Sequence, residues 1–430
     1  MRRVVVIFTL VVLTLIFYPL AFADEAVDMK DNAENQALQE EAMRQAFQDA
    51  AINDFSDKSE TSLFNNKFLS RLHPYLGVNL IYSDNVYETN SNIKSDLYTE
   101  INPGIKLILG NSEGGFETQN INQNLVLDLG VDINHSFYRS AALNFEAPYA
   151  GLAYALESRN NLVNLKQLFR SDYELVSNIS AGANGITHYQ SNITSLLWEH
   201  RFNTLGVGLG YDRTSKDYYG IYKQTNTYVD NMGSVTGFWA LTHKTRIFME
   251  YDFGFYDYPR AVNSNDNFNY YQIWAGARGE LTNKIKGLVK IGSESREYKT
   301  SPKTSMERMA VEVDLNYKQS PKNSFLLSLY RGLLNTDYVS QGADDGYGFS
   351  LGFAHNFSSK LSFNASVGYE EDEYQSGTIT KTTLASLGLR YAFRKWVKME
   401  LKYDFNNRAA NNENNAFKVN RYSLLAKMEF

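Results

Sequence analysis

The C-terminal segment of the chain alternates between two kinds of residue. The aromatic and apolar members recur at every second position and are Tyr422, Leu424, Ala426, Met428 and Phe430. The residues between them, among them Arg421, Ser423, Lys427 and Glu429, are mostly polar. A period of two predicts a β-strand with one apolar and one polar face. We interpret the five apolar positions as a C-terminal assembly signal of the kind that closes a membrane barrel.

The N-terminal residues read as an export signal. Arg2 and Arg3 precede an apolar run over residues 4–20, and Ala21 and Ala23 form a small-residue cleavage site, which predicts a signal peptide over residues 1–23. The run is almost long enough for an uncleaved membrane anchor, which is the alternative. The chain has no cysteine, so neither a lipoprotein anchor nor a disulfide is possible.

Composition narrows the fold class. The chain contains 30 Tyr, 26 Phe and only 7 Pro, and shows no second apolar run long enough for a spanning helix. An exported, aromatic-rich chain with alternating strands is typical of an outer-membrane β-barrel in a Gram-negative bacterium. A secreted β-sandwich or propeller is the alternative, but its strands would be shorter and buried on both faces. The formal net charge of −6 argues against nucleic acid as a partner.

Residues 24–72 differ from the rest. Met43, Phe47, Ala51 and Phe55 recur four residues apart, which predicts a short amphipathic periplasmic helix followed by a polar linker. A disordered leader is the equal alternative. We expect this leader to cap the periplasmic entrance of the barrel or to recruit a periplasmic export protein.

Residues 73–430 read as one series of hairpins. Short polar turns alternate with longer polar stretches, of which the longest predicted loop covers residues 171–185. This pattern predicts an all-β, antiparallel, up-and-down transmembrane barrel of about 18 strands, with about 16 as the alternative. Outer-membrane lipid, lipopolysaccharide and the barrel-assembly machinery are then expected partners.

Charged residues mark the face that cannot contact lipid. In several strands they alternate with an apolar row, and a charge facing lipid at mid-depth costs about 2–4 kcal/mol. We therefore predict the following lumen-facing residues: Arg246, Glu250, Asp252, Arg308, Glu312, Asp314, Lys318, Arg390, Lys398, Glu400, Lys402 and Asp404. Arg331 breaks this rule, because it shares a row with Leu327 and Leu329, and we expect it near the outer rim. The mixed signs indicate a large, hydrated solute without high charge, such as a polysaccharide.

Catalytic and metal sites have little support. The six histidines are scattered, and none forms an HxH or HxxxH pair that would suit a metal. We predict no catalytic residue, no metal and no cofactor, and therefore no enzyme.

One short motif points to a family. The first predicted strand reads Pro-Tyr-Leu-Gly-Val at residues 74–78 and ends in Tyr-Ser-Asp-Asn-Val-Tyr at residues 82–87. This resembles the β-barrel porin family found in exopolysaccharide and capsule loci. The resemblance implies a conduit that exports exopolysaccharide or capsular polysaccharide, for instance in biofilm formation, beside a periplasmic polysaccharide export protein. A general or sugar-selective diffusion porin, a surface adhesin or matrix anchor, and a rim enzyme are the alternatives.

Overall fold

The computed structural model describes one continuous sheet closed into a ring. The described residues are 71–110, 121–137, 144–178, 183–220, 223, 227–242, 244–260, 267–299, 305–334, 344–374, 377–411 and 416–430. The predicted signal peptide and the leader up to residue 70, with its helix, lie outside them. Within the described ranges, no helix is long and apolar enough to cross a membrane.

The ring is built from consecutive antiparallel strands. They are β1 (Leu72–Ser83), β2 (Asp96–Gly110), β3 (Ile121–Ser136), β4 (Phe145–Ser158), β5 (Asn161–Asn178), β6 (Ala183–Phe202), β7 (Leu205–Tyr218), β8 (Tyr228–Ala240), β9 (Thr245–Asp257), β10 (Phe268–Glu280), β11 (Ile285–Tyr298), β12 (Met306–Lys318), β13 (Asn323–Leu334), β14 (Asp344–Asn356), β15 (Leu361–Tyr374), β16 (Ile379–Arg394), β17 (Val397–Ala410) and β18 (Phe417–Glu429). Each strand pairs with its neighbours in sequence, and β1 also pairs with β18. The 18-stranded up-and-down barrel predicted from the alternation is therefore confirmed, and the 16-stranded alternative is wrong.

The seam between the first and last strands closes the sheet. Their register sets Tyr75 opposite Glu429 and Ser83 opposite Arg421. Beyond the ladder, the backbone amide of Phe430 donates to the carbonyl of Pro74 at 3.0 Å, and the Phe430 ring stacks on Trp396 with centroids 5.5 Å apart. Closure leaves no free sheet edge, which would otherwise be open to association with other strands.

The connections between strands are mostly short on one rim and mostly longer on the other. One rim carries short turns, for example residues 203–204 between β6 and β7 and residues 319–322 between β12 and β13. The other rim carries longer connections, such as residues 84–95 and 258–267. The exceptions are the ten residues between β2 and β3, on the short-turn rim, and the four residues between β5 and β6, on the other rim. Both ends of the barrel, Leu72 and Phe430, lie on the rim of the short turns.

The predicted loop over residues 171–185 is wrong. In the structure, β5 and β6 continue through most of this range and are the longest strands, at 18 and 20 residues. Their ladder runs from Ser171 opposite Gln190 to Asn178 opposite Ala183. The Ser171 hydroxyl also lies 2.6 Å from Nε2 of His188. The polarity of this segment thus belongs to a hairpin and does not mark a loop.

Candidate functional site: the inner face of the barrel

The strands have two distinct faces, as β9 illustrates. Met249 is 67% exposed, and Tyr251 and Phe253 on the same row are also exposed. On the opposite row, Asp252 is only 4% exposed, and Glu250 accepts a hydrogen bond from the Thr236 hydroxyl at 2.8 Å. The exposed apolar row is the outer face, because polar side chains on the other row reach one another across several strands, as they can on the concave side of a ring.

The inner row of β17 carries four of the predicted lumen residues. The Arg390 guanidinium of β16 donates to the Glu400 carboxylate at 2.9 Å, and the Lys402 ammonium lies 2.9 Å from the Asp404 carboxylate. Lys398 is exposed near the start of the strand. The alternate residue Leu401 is 57% exposed on the outer face. Three of the four charges along this row therefore lie beside an opposite charge.

The inner row of β12 repeats this pattern. The Lys290 ammonium of β11 lies 2.7 Å from the Glu312 carboxylate, and the Ser328 hydroxyl of β13 donates to Asp314 at 2.5 Å. Lys318 ends the strand at the rim of the short turns, where its side chain is exposed.

Arg308 departs from the predicted arrangement. It begins on the same row as Glu312, but its guanidinium donates to Asp345 of β14 at 3.0 Å. Asp345 also lies 3.8 Å from the Arg331 guanidinium. On β14, Asp345 shares the outer row with Tyr347, which is 44% exposed. The ladder between β12 and β13 begins only at Val311 opposite Arg331, so the Arg308 side chain can turn toward the outer row. Both arginines lie near the rim of the long connections.

A buried carboxylate joins two arginines on the inner face. Arg246 and Arg278 lie directly opposite each other on β9 and β10, where like charges destabilise a sheet. The Glu199 carboxylate of β6 accepts from Arg246 at 2.5 Å and from Arg278 at 2.6 Å, one arginine at each oxygen, and its side chain is 3% exposed. Arg246 also lies 5.0 Å from the centre of the Phe238 ring, which occupies the space above Gly206. Arg246 therefore lies along the wall.

A second cluster crosses three strands. The Tyr75 hydroxyl of β1 donates to the Asp128 carboxylate of β3 at 2.8 Å and contacts the Tyr149 hydroxyl of β4. The Tyr75 ring occupies the space above Gly104 on β2, and the Tyr149 ring occupies the space above Gly130 on β3. Glycine at these positions allows both rings to lie flat against the wall.

The described residues contain no group of three or more His, Asp or Glu side chains that could hold a metal ion. Histidines contact other rings instead: His188 stacks on Tyr219 at 4.5 Å, and His355 packs edge-on against Phe357 at 4.5 Å.

Comparison with known proteins identifies the family. The family model described as "Putative beta-barrel porin 2" matches residues 71–430, which is the whole barrel. The chain belongs to this porin family. The porin is accordingly an outer-membrane β-barrel of a Gram-negative bacterium. No protein of curated description matches the chain.

Several solved structures resemble the chain at low sequence identity. OpdK, an outer membrane protein of Pseudomonas aeruginosa, has a TM-score of 0.44 and 10% identity, covering 84% of the porin and 98% of OpdK. OccK2 (OpdF) of Pseudomonas aeruginosa, solved with glucuronate, has a TM-score of 0.47 and 10% identity, covering 85% and 100%. OccAB3 of Acinetobacter baumannii has a TM-score of 0.45 and 12% identity, covering 84% and 99%.

The lengths of the connections indicate how the porin is oriented in the outer membrane. Short turns are periplasmic and long connections extracellular in such barrels. The Glu199 cluster, close to the turn at residues 203–204, therefore lies in the periplasmic half, whereas Arg308 and Arg331 lie near the cell surface.

Several inner-face residues escaped the sequence analysis. Glu199 shares its row with Leu197 and Ile193, so the alternation in this strand did not predict that the row faces the lumen. Arg278 follows a largely apolar stretch of β10, whereas Lys290 belongs to a charged row of β11 that the alternation could have revealed, with Lys286, Glu294 and Arg296. The contact of Glu199 with Arg246 and Arg278 depends on which residues of neighbouring strands lie opposite each other, and the sequence of a single strand does not show this. That the predicted residues line the path of a solute remains a prediction.

Proposed function

We propose that the porin is a passive channel for a large, hydrated solute of low net charge, and that this solute is a polysaccharide. The observation that carries the proposal is the neutralisation of charge along the inner face. Glu199 with its two arginines, Lys290 with Glu312, and Arg390 with Glu400 each combine opposite charges within 3 Å.

A neutralised wall favours solutes that carry little charge. Channels that select ions present rings or ladders of one sign, whose field attracts the opposite ion. Here groups of opposite sign lie side by side, so the wall presents no ladder of a single sign, and its polar groups can form hydrogen bonds with a solute. A sugar chain, with many hydroxyl groups, suits such a surface.

Two long side chains on the inner face extend along the wall. Tyr75 spans β2 to reach Asp128, and Arg246 spans β7 and β8 to reach Glu199. Both side chains therefore extend around the wall instead of toward the axis. A barrel of about 18 strands is wide enough for an aqueous channel when its side chains lie in this way.

The polymeric nature of the solute is a separate part of the proposal. It rests on the wall chemistry and on the motif at residues 82–87, since the family description names no substrate. In this proposal, a periplasmic export protein delivers the polymer to the short-turn rim, and no catalytic step occurs in the barrel. Uptake of small neutral sugars is the alternative, because the same wall would also pass them.

A deletion strain tests the proposal. We expect loss of surface polysaccharide with accumulation of polymer in the periplasm, and unchanged uptake of small sugars at low concentration. Complementation with the wild-type chain should restore the surface polymer. Normal surface polymer together with slow sugar uptake would overturn the export proposal in favour of a diffusion porin.

A further inference from the structure

Four successive periplasmic turns share one backbone design. In each, a hydroxyl accepts hydrogen bonds of 2.9–3.2 Å from the backbone amides two and three residues later, and the residue's own amide donates to the carbonyl three residues later. The hydroxyl residues are Thr242, Thr282, Ser320 and Ser358. Such side-chain bonds fix the shape of a turn.

Each of these turns places a lysine at the same position. The third residue in every case is a lysine: Lys244, Lys284, Lys322 and Lys360. All four are exposed, and the next turn along the ring adds the exposed Arg394 and Lys395. The repeated geometry makes these side chains an arc of positive charge along the periplasmic rim, which we call the lysine arc.

Most of the lysine arc lacks a carboxylate partner on the barrel. Lys244 lies 2.6 Å from Glu280. The Lys284 ammonium instead donates to the carbonyl of Gln319 at 3.3 Å. Among the described residues, no carboxylate pairs with Lys284, Lys322 or Lys360, so the arc can accept an acidic partner.

The chain itself supplies an acidic segment on this side of the membrane. Residues 24–60 contain eleven Asp or Glu and three Lys or Arg, a formal charge of −8. The segment joins the barrel at Leu72, on the rim that carries the lysine arc. A tether of this kind holds the two groups at an effective concentration in the millimolar range.

The tether is long enough to reach the arc. Strand order places β1 about half a ring from the Lys244 turn and only two strands from the Arg394 turn, so the greatest distance to the arc is about the diameter of the ring. Strands about 4.8 Å apart and tilted by about 40° give an 18-stranded ring a diameter of roughly 36 Å. About 30 residues can span up to about 100 Å when fully extended, which exceeds this diameter.

We propose that the acidic segment over residues 24–60 docks on the lysine arc of its own barrel. The contact is electrostatic and lies at the periplasmic entrance. Because the Debye length falls from about 10 Å at 0.1 M salt to about 3 Å at 1 M, high salt should release the segment. The contact does not depend on which solute the porin carries.

The absence of cysteine allows a direct test on the mature chain. A single spin label at Asn35→Cys reports the mobility of the segment in protein refolded in liposomes. We expect an immobilised signal at 0.05 M NaCl and a mostly mobile one at 1 M NaCl. The triple variant Lys284→Glu, Lys322→Glu and Lys360→Glu should give the mobile signal already at 0.05 M NaCl.

Two controls keep the result specific. The triple variant Lys94→Glu, Lys223→Glu and Lys299→Glu makes the same charge change on the extracellular side and should leave the label immobilised. Cross-linking of a Glu41→Cys, Lys322→Cys double variant by a short bis-maleimide should occur within one chain and fall at 1 M NaCl. A label that is equally mobile in all variants, or one immobilised regardless of salt and of the lysine arc, would overturn the proposal.

Discussion

The Tyr75 hydroxyl donates to the Asp128 carboxylate at 2.8 Å across an intervening strand. The bond is possible because Gly104, on that strand, has no side chain beneath the Tyr75 ring. One glycine thus allows a long polar side chain to lie along the wall of the barrel.

Gly104→Ala tests this arrangement. The added methyl would overlap the Tyr75 ring and lie 2.8 Å from the carbonyl oxygen of Leu129, which the backbone cannot easily relieve. We expect a loss of about 1–3 kcal/mol in the free energy of unfolding, typical of overpacking. Urea unfolding in lipid measures it. Gly77→Ala is the matched control, because its methyl would meet nothing closer than 3.4 Å, and an equal loss in both variants would contradict the account.

The two faces of β17 give a second prediction. Leu401→Arg places a charge on the exposed apolar row and should cost about 2–4 kcal/mol if the residue lies at mid-bilayer. Lys402→Leu, on the inner row, should cost far less. Unfolding in lipid compares them directly, and a reversed order would mean that the register is shifted by one residue.

The alternation of residues predicted these faces but could not predict which side chains meet. The sequence of one strand is enough to show that Met399 and Leu401 lie on the opposite face from Lys398 and Glu400. The bond from Glu199 to Arg278 joins strands four apart in the ring, so it depends on register and curvature, which a local pattern does not contain. The same holds for Tyr75 and Asp128. The polar composition of residues 171–185 led to the wrong prediction of a loop, because the long strands β5 and β6 are polar in this range.

Removal of the buried carboxylate should change ion selectivity. Glu199→Gln leaves Arg246 and Arg278 facing each other without a countercharge. We therefore expect the reversal potential in a KCl gradient to shift toward chloride preference in planar bilayers. Glu280→Gln, which removes an equal charge near the same rim, is the control and should shift it less, because Glu280 pairs with the exposed Lys244 and Lys286, whose charge solvent already screens.

Deletion of Phe430 should impair assembly in cells more than folding in detergent. The residue adds one backbone bond to Pro74 and a ring contact to Trp396, a small part of the seam. Membrane fractionation gives the level in the outer membrane, and gel mobility with and without heating gives the folded fraction in detergent. Normal outer-membrane levels of the truncated chain would refute the predicted assembly role.

Conductance of the purified porin in a planar bilayer tests the central claim most directly. A passive channel with a neutralised wall should show a steady open conductance and a reversal potential close to zero across a tenfold KCl gradient, because neither ion is strongly preferred. Absence of conductance, or a reversal potential approaching the equilibrium potential of one ion, would contradict the account.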